Sequence, residues 1–313
     1  MKYFVIGAGS IGQRHFSNLQ QLGANAQLFS WRKMNTKSVL AKIYEAGTKA
    51  AVVIATSTDI RLPLILDCAK EGASLYIEKP IAFKHGDLKE IFALPGEVQS
   101  RSVAGFMMRY HPIVKTLLDF QNECFFRGNF EVGHDVRQWR QDWNFGASYA
   151  SKSSGGGVLL DLCHEIDIAH LLLKEPRIES VKSMADKSFP SIDLATQVTL
   201  LEKSGGVFNV NLDYMASSLI RRGTLVGATT QVEYDIAKGF LRITRNGSMK
   251  EMNFEFDRNQ MFLNFMIDFM NLAEGEPTQN PYIPRLDNVE KICFEIAKAW
   301  ERREFLGHLR SEL

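Results

Sequence analysis

The sequence predicts an α/β protein: an N-terminal doubly wound parallel sheet, then an α/β domain with an open, mostly antiparallel sheet. Three observations lead there. Short apolar runs alternate with helical patterns over roughly the first 105 residues, as parallel strands joined by crossover helices require. After Gly105, strand patterns follow one another with only turn residues between them, which is antiparallel grammar. Two amphipathic helical patterns then close the chain. Its 313 residues suit two domains, placed at 1–105 and 106–313, with the helix at 286–303 available to pack back on the first.

Tyr3–Ile6 is a β-forming apolar run that stops at Gly7, and Gly7-x-Gly9-x-x-Gly12 follows at once. An apolar helical pattern (Ile11, Phe16, Leu19, Leu22) begins inside it. In that context Gly7 permits the turn, Gly9 admits a pyrophosphate and Gly12 lets the helix lie close on the sheet. The helix start, with Ser10 and Ile11, offers N–H groups and partial positive charge to that anion. The helix should end near Gly23, and a second strand covers 26–30. An acid that binds the ribose 2′-OH is expected about 20 residues beyond the glycine turn. Ser30-Trp31-Arg32 stands there instead. A hydroxyl and a guanidinium suit a 2′-phosphate, so NADP(H) is favoured and NAD(H) remains possible.

A short helix at 37–46 and a doubly buried strand at 50–55 follow, and Thr56–Asp59 caps a helix at 60–71. The strand at 73–77 ends in Glu78-Lys79-Pro80. Ligands bind outside the carboxyl ends of such strands, which makes Thr56, Glu78 and Lys79 candidate contacts. Pro80 restricts the turn and so aims the lysine. A helix at 84–93 and a strand at about 98–105 complete the first domain.

Phe106–Pro112 leads into a helix to about Phe120. Strands are then expected near 124–138, 178–186, 193–202, 206–215, 222–235, 240–245 and 249–256, with turns at Lys203–Gly206 and Arg245–Ser248. Phe262, Phe265, Met266, Phe269 and Met270 form one buried helical stripe, and Val289, Cys293, Ile296 and Trp300 another. Between these regions lies Ser153-Ser-Gly-Gly-Gly-Val-Leu-Leu-Asp-Leu-Cys-His-Glu-Ile-Asp167. The triple glycine allows close backbone approach, and a helix after it would carry Asp161, His164 and Asp167 near one face. A histidine beside a carboxylate suits proton transfer, although the same pattern also describes a capping or surface pair.

Bulk properties narrow the class. With 45% hydrophobic and 23% charged residues the chain should fold, and a net charge of +1 gives no reason to expect nucleic acid or a membrane as partner. Cys68, Cys124, Cys163 and Cys293 show no pairing or metal-binding spacing, so no metal is expected. Those cysteines, and an apolar N-terminal run too short for a signal peptide, read as cytoplasmic.

Together, Gly7-x-Gly9-x-x-Gly12, Glu78-Lys79-Pro80, Phe106–Pro112, Gly155–Gly157 and His164-Glu-Ile-Asp167 resemble the Gfo/Idh/MocA oxidoreductases in order and spacing, over nearly the whole chain. Trp139, Tyr149 and the run to Asp167 look like the branch found in surface-polysaccharide and sugar biosynthesis. The resemblance implies an N-terminal Rossmann domain and NAD(P)-dependent hydride transfer on a sugar or nucleotide sugar. It also implies a homodimer or homotetramer built on the open sheet. In such an enzyme Lys79 would hydrogen-bond the reacting oxygen and His164 would exchange its proton. Arg109, Tyr110, His111, Arg137, Trp139, Arg140 and Tyr149 are candidate sugar contacts. The family's acid usually stands four residues before the histidine. Leu160 is there, and Asp161 is one residue closer, so its side chain leaves at a different angle. The family's usual histidine after the third strand is Arg61. Two other readings stand beside this one: a cofactor-binding regulator without turnover, and a hydrolase or epimerase that uses a retained cofactor transiently.

Overall fold

A computed structural model describes residues 1–139, 144–203 and 205–309; Arg140 and Ser204 therefore lie outside the described residues. The first stretch runs β1 (Lys2–Ile6), α1 (Ser10–Gln21), β2 (Ala26–Phe29), α2 (Thr36–Ala46), β3 (Ala50–Ile54), α3 (Arg61–Ala69), β4 (Ser74–Ile77), α4 (His85–Phe92), α5 (Gly96–Ser100) and β5 (Val103–Ala104). There follow α6 (Pro112–Leu117), β6 (Phe125–Gly133), α7 (Val158–Asp161), α8 (His164–Leu172), β7 (Arg177–Ala185), β8 (Ala195–Leu201) and β9 (Val207–Asp213). The last are β10 (Ile220–Gly227), β11 (Thr230–Asp235), β12 (Phe240–Arg245), β13 (Ser248–Asn253), α9 (Arg258–Glu274), α10 (Leu286–Glu301) and β14 (Glu304–His308).

The chain divides into two compact units, each made of two segments. The first is Met1–Tyr110 with Asp257–Phe294. Its sheet is fully parallel in the order β2-β1-β3-β4-β5, the order of strand addition reversing between β1 and β3. Every residue of β3 is buried, as its unbroken apolar run demands. Residues 257–274, expected from sequence in the second domain, join this unit instead. The Phe262–Phe269 stripe of α9 is buried, and Tyr76 of β4 packs on Phe265 and Phe269 at centroid distances of 4.8 and 5.6 Å. Polar bonds tie the same helix to β1 and α1, Tyr3 to Glu274 at 2.9 Å and Asn259 to Asn18 at 3.0 Å. The expected strand at 98–105 is shorter than its pattern. Pro95 and Gly96 start the helical turn α5, which leaves only Val103 and Ala104 to pair with β4.

The second unit is His111–Phe256 with Glu295–Leu313. Nine strands run β13-β12-β11-β10-β6-β9-β8-β7-β14, antiparallel except for the β6–β9 and β7–β14 pairs. One face carries Phe130, Val132, Val198, Leu200, Phe208, Val210 and Leu212, all buried; α7 and α8 pack on these central strands. The other face is mixed, with Asn129, Thr199, Asn209 and Asn211 linked across strands. The expected strand at 222–235 is a hairpin, β10 and β11, turning at Ala228-Thr229; no glycine–asparagine signal marks that turn. The edge strand β14 had no counterpart in the sequence reading. Among the described residues no helix is long and apolar enough to cross a membrane.

Candidate active site

Each unit carries its own set of chemically equipped residues. In the first, the turn from β1 into α1 is packed tightly where it touches protein and open where it does not. A Cβ on Gly12 would sit 1.7 Å from the Gly7 carbonyl oxygen, and one on Gly7 would sit 2.5 Å from the Ala55 carbonyl oxygen. A Cβ on Gly9 would meet nothing within 4 Å. Gly9 is also the N-cap of α1 and supplies no side-chain cap, so Ser10 and Ile11 start the helix with uncapped N–H groups. Beside this turn the buried Thr56 hydroxyl has no hydrogen-bond partner among the described residues. A space over a helix N-terminus, with a donor hydroxyl at its edge, fits a dinucleotide pyrophosphate. Ser30 follows β2, its carbonyl accepting from Lys33 and Met34 N–H in a turn, and Arg32 is exposed on that turn.

Glu78-Lys79-Pro80 leaves the carboxyl end of β4, with Lys79 half-buried and a cis Lys79–Pro80 bond. Glu78 is buried and bonded to His15 of α1 at 2.7 Å, and its Oε2 accepts from the Lys79 N–H at 3.2 Å. Burial pushes the Glu78 carboxyl up, but His15, then Lys79 and Arg61, outweigh it and hold it below the usual range. Arg61 opens α3 and is 3% exposed; its guanidinium donates to the carbonyls of Thr56, Glu78 and Pro80. Burial lowers its pKa to about 10, against the opposing pull of Glu78. The structure places Arg109 and Tyr110 in this unit as anchors. Arg109 donates to the Tyr282 carbonyl at 3.1 Å, and Tyr110 bonds Asp268 at 2.8 Å while stacking on Phe265. Burial, then Asp268, raises the Tyr110 phenol far above its ordinary value.

In the second unit the expected continuous helix is two helices. α7 ends at Asp161, Leu162 turns (φ −104°, ψ 24°), and α8 begins at His164, so Asp161 and His164 are not three steps along one helix. The triple glycine serves the chain itself. At Gly156 a Cβ would lie 2.5 Å from the carbonyl oxygens of Ala150 and Lys152, and at Gly157 (φ +99°) 2.1 Å from Asp193 Oδ1. That carboxylate, fully buried, accepts from Leu159 N at 2.8 Å, Thr196 Oγ1 at 3.1 Å and Arg303, and so pins the start of α7.

Asp161 is gripped by two phenols. Tyr149 lies 3.1 and 3.2 Å from its two oxygens and Tyr214 3.0 Å from Oδ2. Trp139 meets Tyr214 edge-on at 5.1 Å, which brings Trp139, Tyr149 and Asp161 into one cluster around a tyrosine that the sequence reading missed. Tyr214 follows β9 on the alternation of Val210 and Leu212, and that parity was the available signal. His164 is buried at the start of α8, and the next residue, Glu165, holds Arg221 of β10 at 2.6 and 3.0 Å. His111 is also buried. Its Nδ1 accepts from Ile113 N as the N-cap of α6, and burial, then Arg221, lowers its pKa to about 4. Arg137 is bound bidentately by Asp135 at 2.9 Å.

No family model matches the chain. The myo-inositol 2-dehydrogenase of Thermotoga maritima is 24% identical, over 88% of this chain and 90% of that protein. That similarity supports the resemblance to the Gfo/Idh/MocA oxidoreductases carried by the sequence motifs. Solved structures agree on the fold. A UDP-N-acetylglucosamine 3-dehydrogenase from Acidithiobacillus ferrooxidans superposes with a TM-score of 0.75 at 16% identity, over 97% of this chain and 96% of its own. An inositol dehydrogenase homologue from Azotobacter vinelandii, solved with NADH and myo-inositol, gives 0.73 at 12% identity, over 96% of each chain.

Proposed function

We propose that the chain is a nicotinamide-dependent dehydrogenase acting on a CH–OH group of a sugar or nucleotide sugar, with NADP(H) preferred. The observation that carries this reading is the turn over α1, filled at Gly7 and Gly12 and open at Gly9. The names of its similar proteins, an inositol and a UDP-sugar dehydrogenase among them, support the substrate class. Gly7, Gly9, Ser10, Ile11, Gly12 and Thr56 hold the pyrophosphate, and Ser30 with Arg32 meets a 2′-phosphate. When bound, the nicotinamide supplies hydride acceptance or donation. Lys79 donates a hydrogen bond to the reacting oxygen and offsets its developing charge. His164 takes the hydroxyl proton in one direction and returns it in the other. Tyr149 and Trp139 offer aromatic faces to the sugar, and Asp161 fixes Tyr149.

The mixed sheet face, with Val207 44% exposed, supports self-association as a homodimer or homotetramer. Two titrations test the cofactor reading. An arginine–phosphate contact contributes ~1.5–3 kcal/mol, so NADPH should bind roughly ten- to a hundredfold tighter than NADH, and Arg32→Ser should erase the difference. Equal or tighter NADH binding by the unaltered protein refutes it. Turnover itself is read as an absorbance change at the nicotinamide band across a panel of free and nucleotide-linked sugars, and no change with any of them refutes the dehydrogenase reading.

A further inference from the structure

Arg61 stands where an amphipathic helix would ordinarily show a solvated charge, yet it is almost wholly buried. A buried guanidinium needs partners for its donors, and here both terminal nitrogens go to backbone carbonyls, while Nε has no hydrogen-bond partner among the described residues. One terminal nitrogen, Nη1, bonds the carbonyls of both Glu78 and Pro80, the residues on either side of Lys79. The other, Nη2, bonds the carbonyl of Thr56 at the end of β3. The Glu78 side chain continues the chain of contacts to His15 on α1, 2.7 Å away. Gly105 closes the opposite side: a Cβ there would meet Lys79 N at 3.0 Å and Glu78 Oε2 at 3.1 Å. The backbone of Lys79 is therefore held before and after by one planar fork.

We propose that Arg61 is the positioning residue for Lys79, setting the direction in which the lysine leaves β4 without touching substrate itself. The inference rests on the reading of Lys79 as the group that bonds the reacting oxygen. A planar fork suits the task because its donors keep fixed mutual angles, whereas an ammonium in its place is a compact charge on a flexible stem. Small displacements of a reacting group are costly, a misplacement of about 1 Å lowering rates by about a hundredfold.

The test compares Arg61→Met, Arg61→Lys, Lys79→Met and the Arg61→Met/Lys79→Met double variant, each checked for folding by near-UV circular dichroism and for dinucleotide affinity by fluorescence titration. Arg61→Met should lower kcat by ~10–100-fold while sugar KM and dinucleotide affinity stay within about threefold. Arg61→Lys, which keeps charge and donors, should recover part of that loss. The double variant should be no slower than Lys79→Met, because an arginine that only aims a lysine has no effect once the lysine is gone. Normal kcat in folded Arg61→Met beside a crippled Lys79→Met overturns the inference, as does a double variant in which the two losses multiply. Normal turnover in Lys79→Met overturns the underlying reading of the lysine instead. If Arg61→Met does not fold, or no sugar is turned over, 13C-dimethylated lysine spectra of Arg61→Lys decide. The resonance that disappears in Lys79→Met should move in Arg61→Lys, and an unmoved resonance overturns the inference.

Discussion

Replacing Arg303 by Met should destabilise the second unit strongly at neutral pH and less in acid. Arg303 and Asp193 keep 9% and 0% of their side-chain surfaces exposed. Removing one partner of a buried pair costs ~3–5 kcal/mol, because the other charge is left in a poor solvent. Leu159 N and Thr196 Oγ1 still serve Asp193, which argues for the lower end of that range. Loss of the guanidinium from above the Trp300 ring, 4.3 Å away, argues upward again. At about 2–4 °C per kcal/mol for a unit of this size, the melting temperature should fall by roughly 6–20 °C. Burial raises the Asp193 carboxyl above its ordinary value and Arg303 opposes that rise. Without Arg303 the group titrates higher still. The folded variant then takes up a proton at a pH where the parent remains ionised, so the deficit is full above both titrations and shrinks as pH falls through them. Thermal unfolding of both proteins near pH 7.5 and near pH 5 reads the gap directly. A gap below ~2 °C at the higher pH, or one that does not shrink at the lower, refutes the reasoning.

Two further contrasts follow from the same geometry. Gly9→Ala should fold normally yet bind dinucleotide at least ~10-fold more weakly, since its Cβ enters the open space, whereas Gly12→Ala should lose binding through a displaced helix. Unchanged dinucleotide affinity in Gly9→Ala, by fluorescence titration, contradicts the assignment. Asp161→Asn should raise sugar KM, because Tyr149 loses a charged acceptor, while kcat stays within ~10-fold. His164→Ala should instead lower kcat by ~100-fold or more with dinucleotide binding intact. Equal kcat losses in the two variants would mean that Asp161 works with the imidazole and not with the phenols.

What the sequence made legible was local. The strand β3 is an unbroken apolar run and α9 a clean helical stripe, so both could be read from periodicity, and the glycine turn followed from its place between strand and helix. What escaped depends on contacts distant in the chain. The break at Leu162 is invisible because Val158–Leu172 keeps helical composition throughout; it arises where Asp161 turns to Tyr149 and Tyr214. Residues 257–274 join the first unit through Tyr76, Tyr3 and Asn18, none of which lies near them in sequence. Arg61 has the composition of a surface charge, and only the fold reveals three carbonyls converging on it. Arg109, Tyr110 and His111 have the side chains of sugar contacts, and their bonds to Tyr282, Asp268 and Ile113 could not be foreseen from the sequence.

The central claim is hydride transfer that ends in a released product. The direct measurement uses cofactor deuterated at the nicotinamide C4, a keto sugar from the active panel, and mass analysis of the sugar over many turnovers. The dehydrogenase account predicts one deuterium delivered to the sugar carbon as deuteride per molecule of oxidised cofactor released, with both lost together in Lys79→Met and His164→Ala. Sugar converted with no net cofactor oxidation would contradict it and point to a retained cofactor used transiently, while tight cofactor binding without conversion of any sugar would point to a regulator.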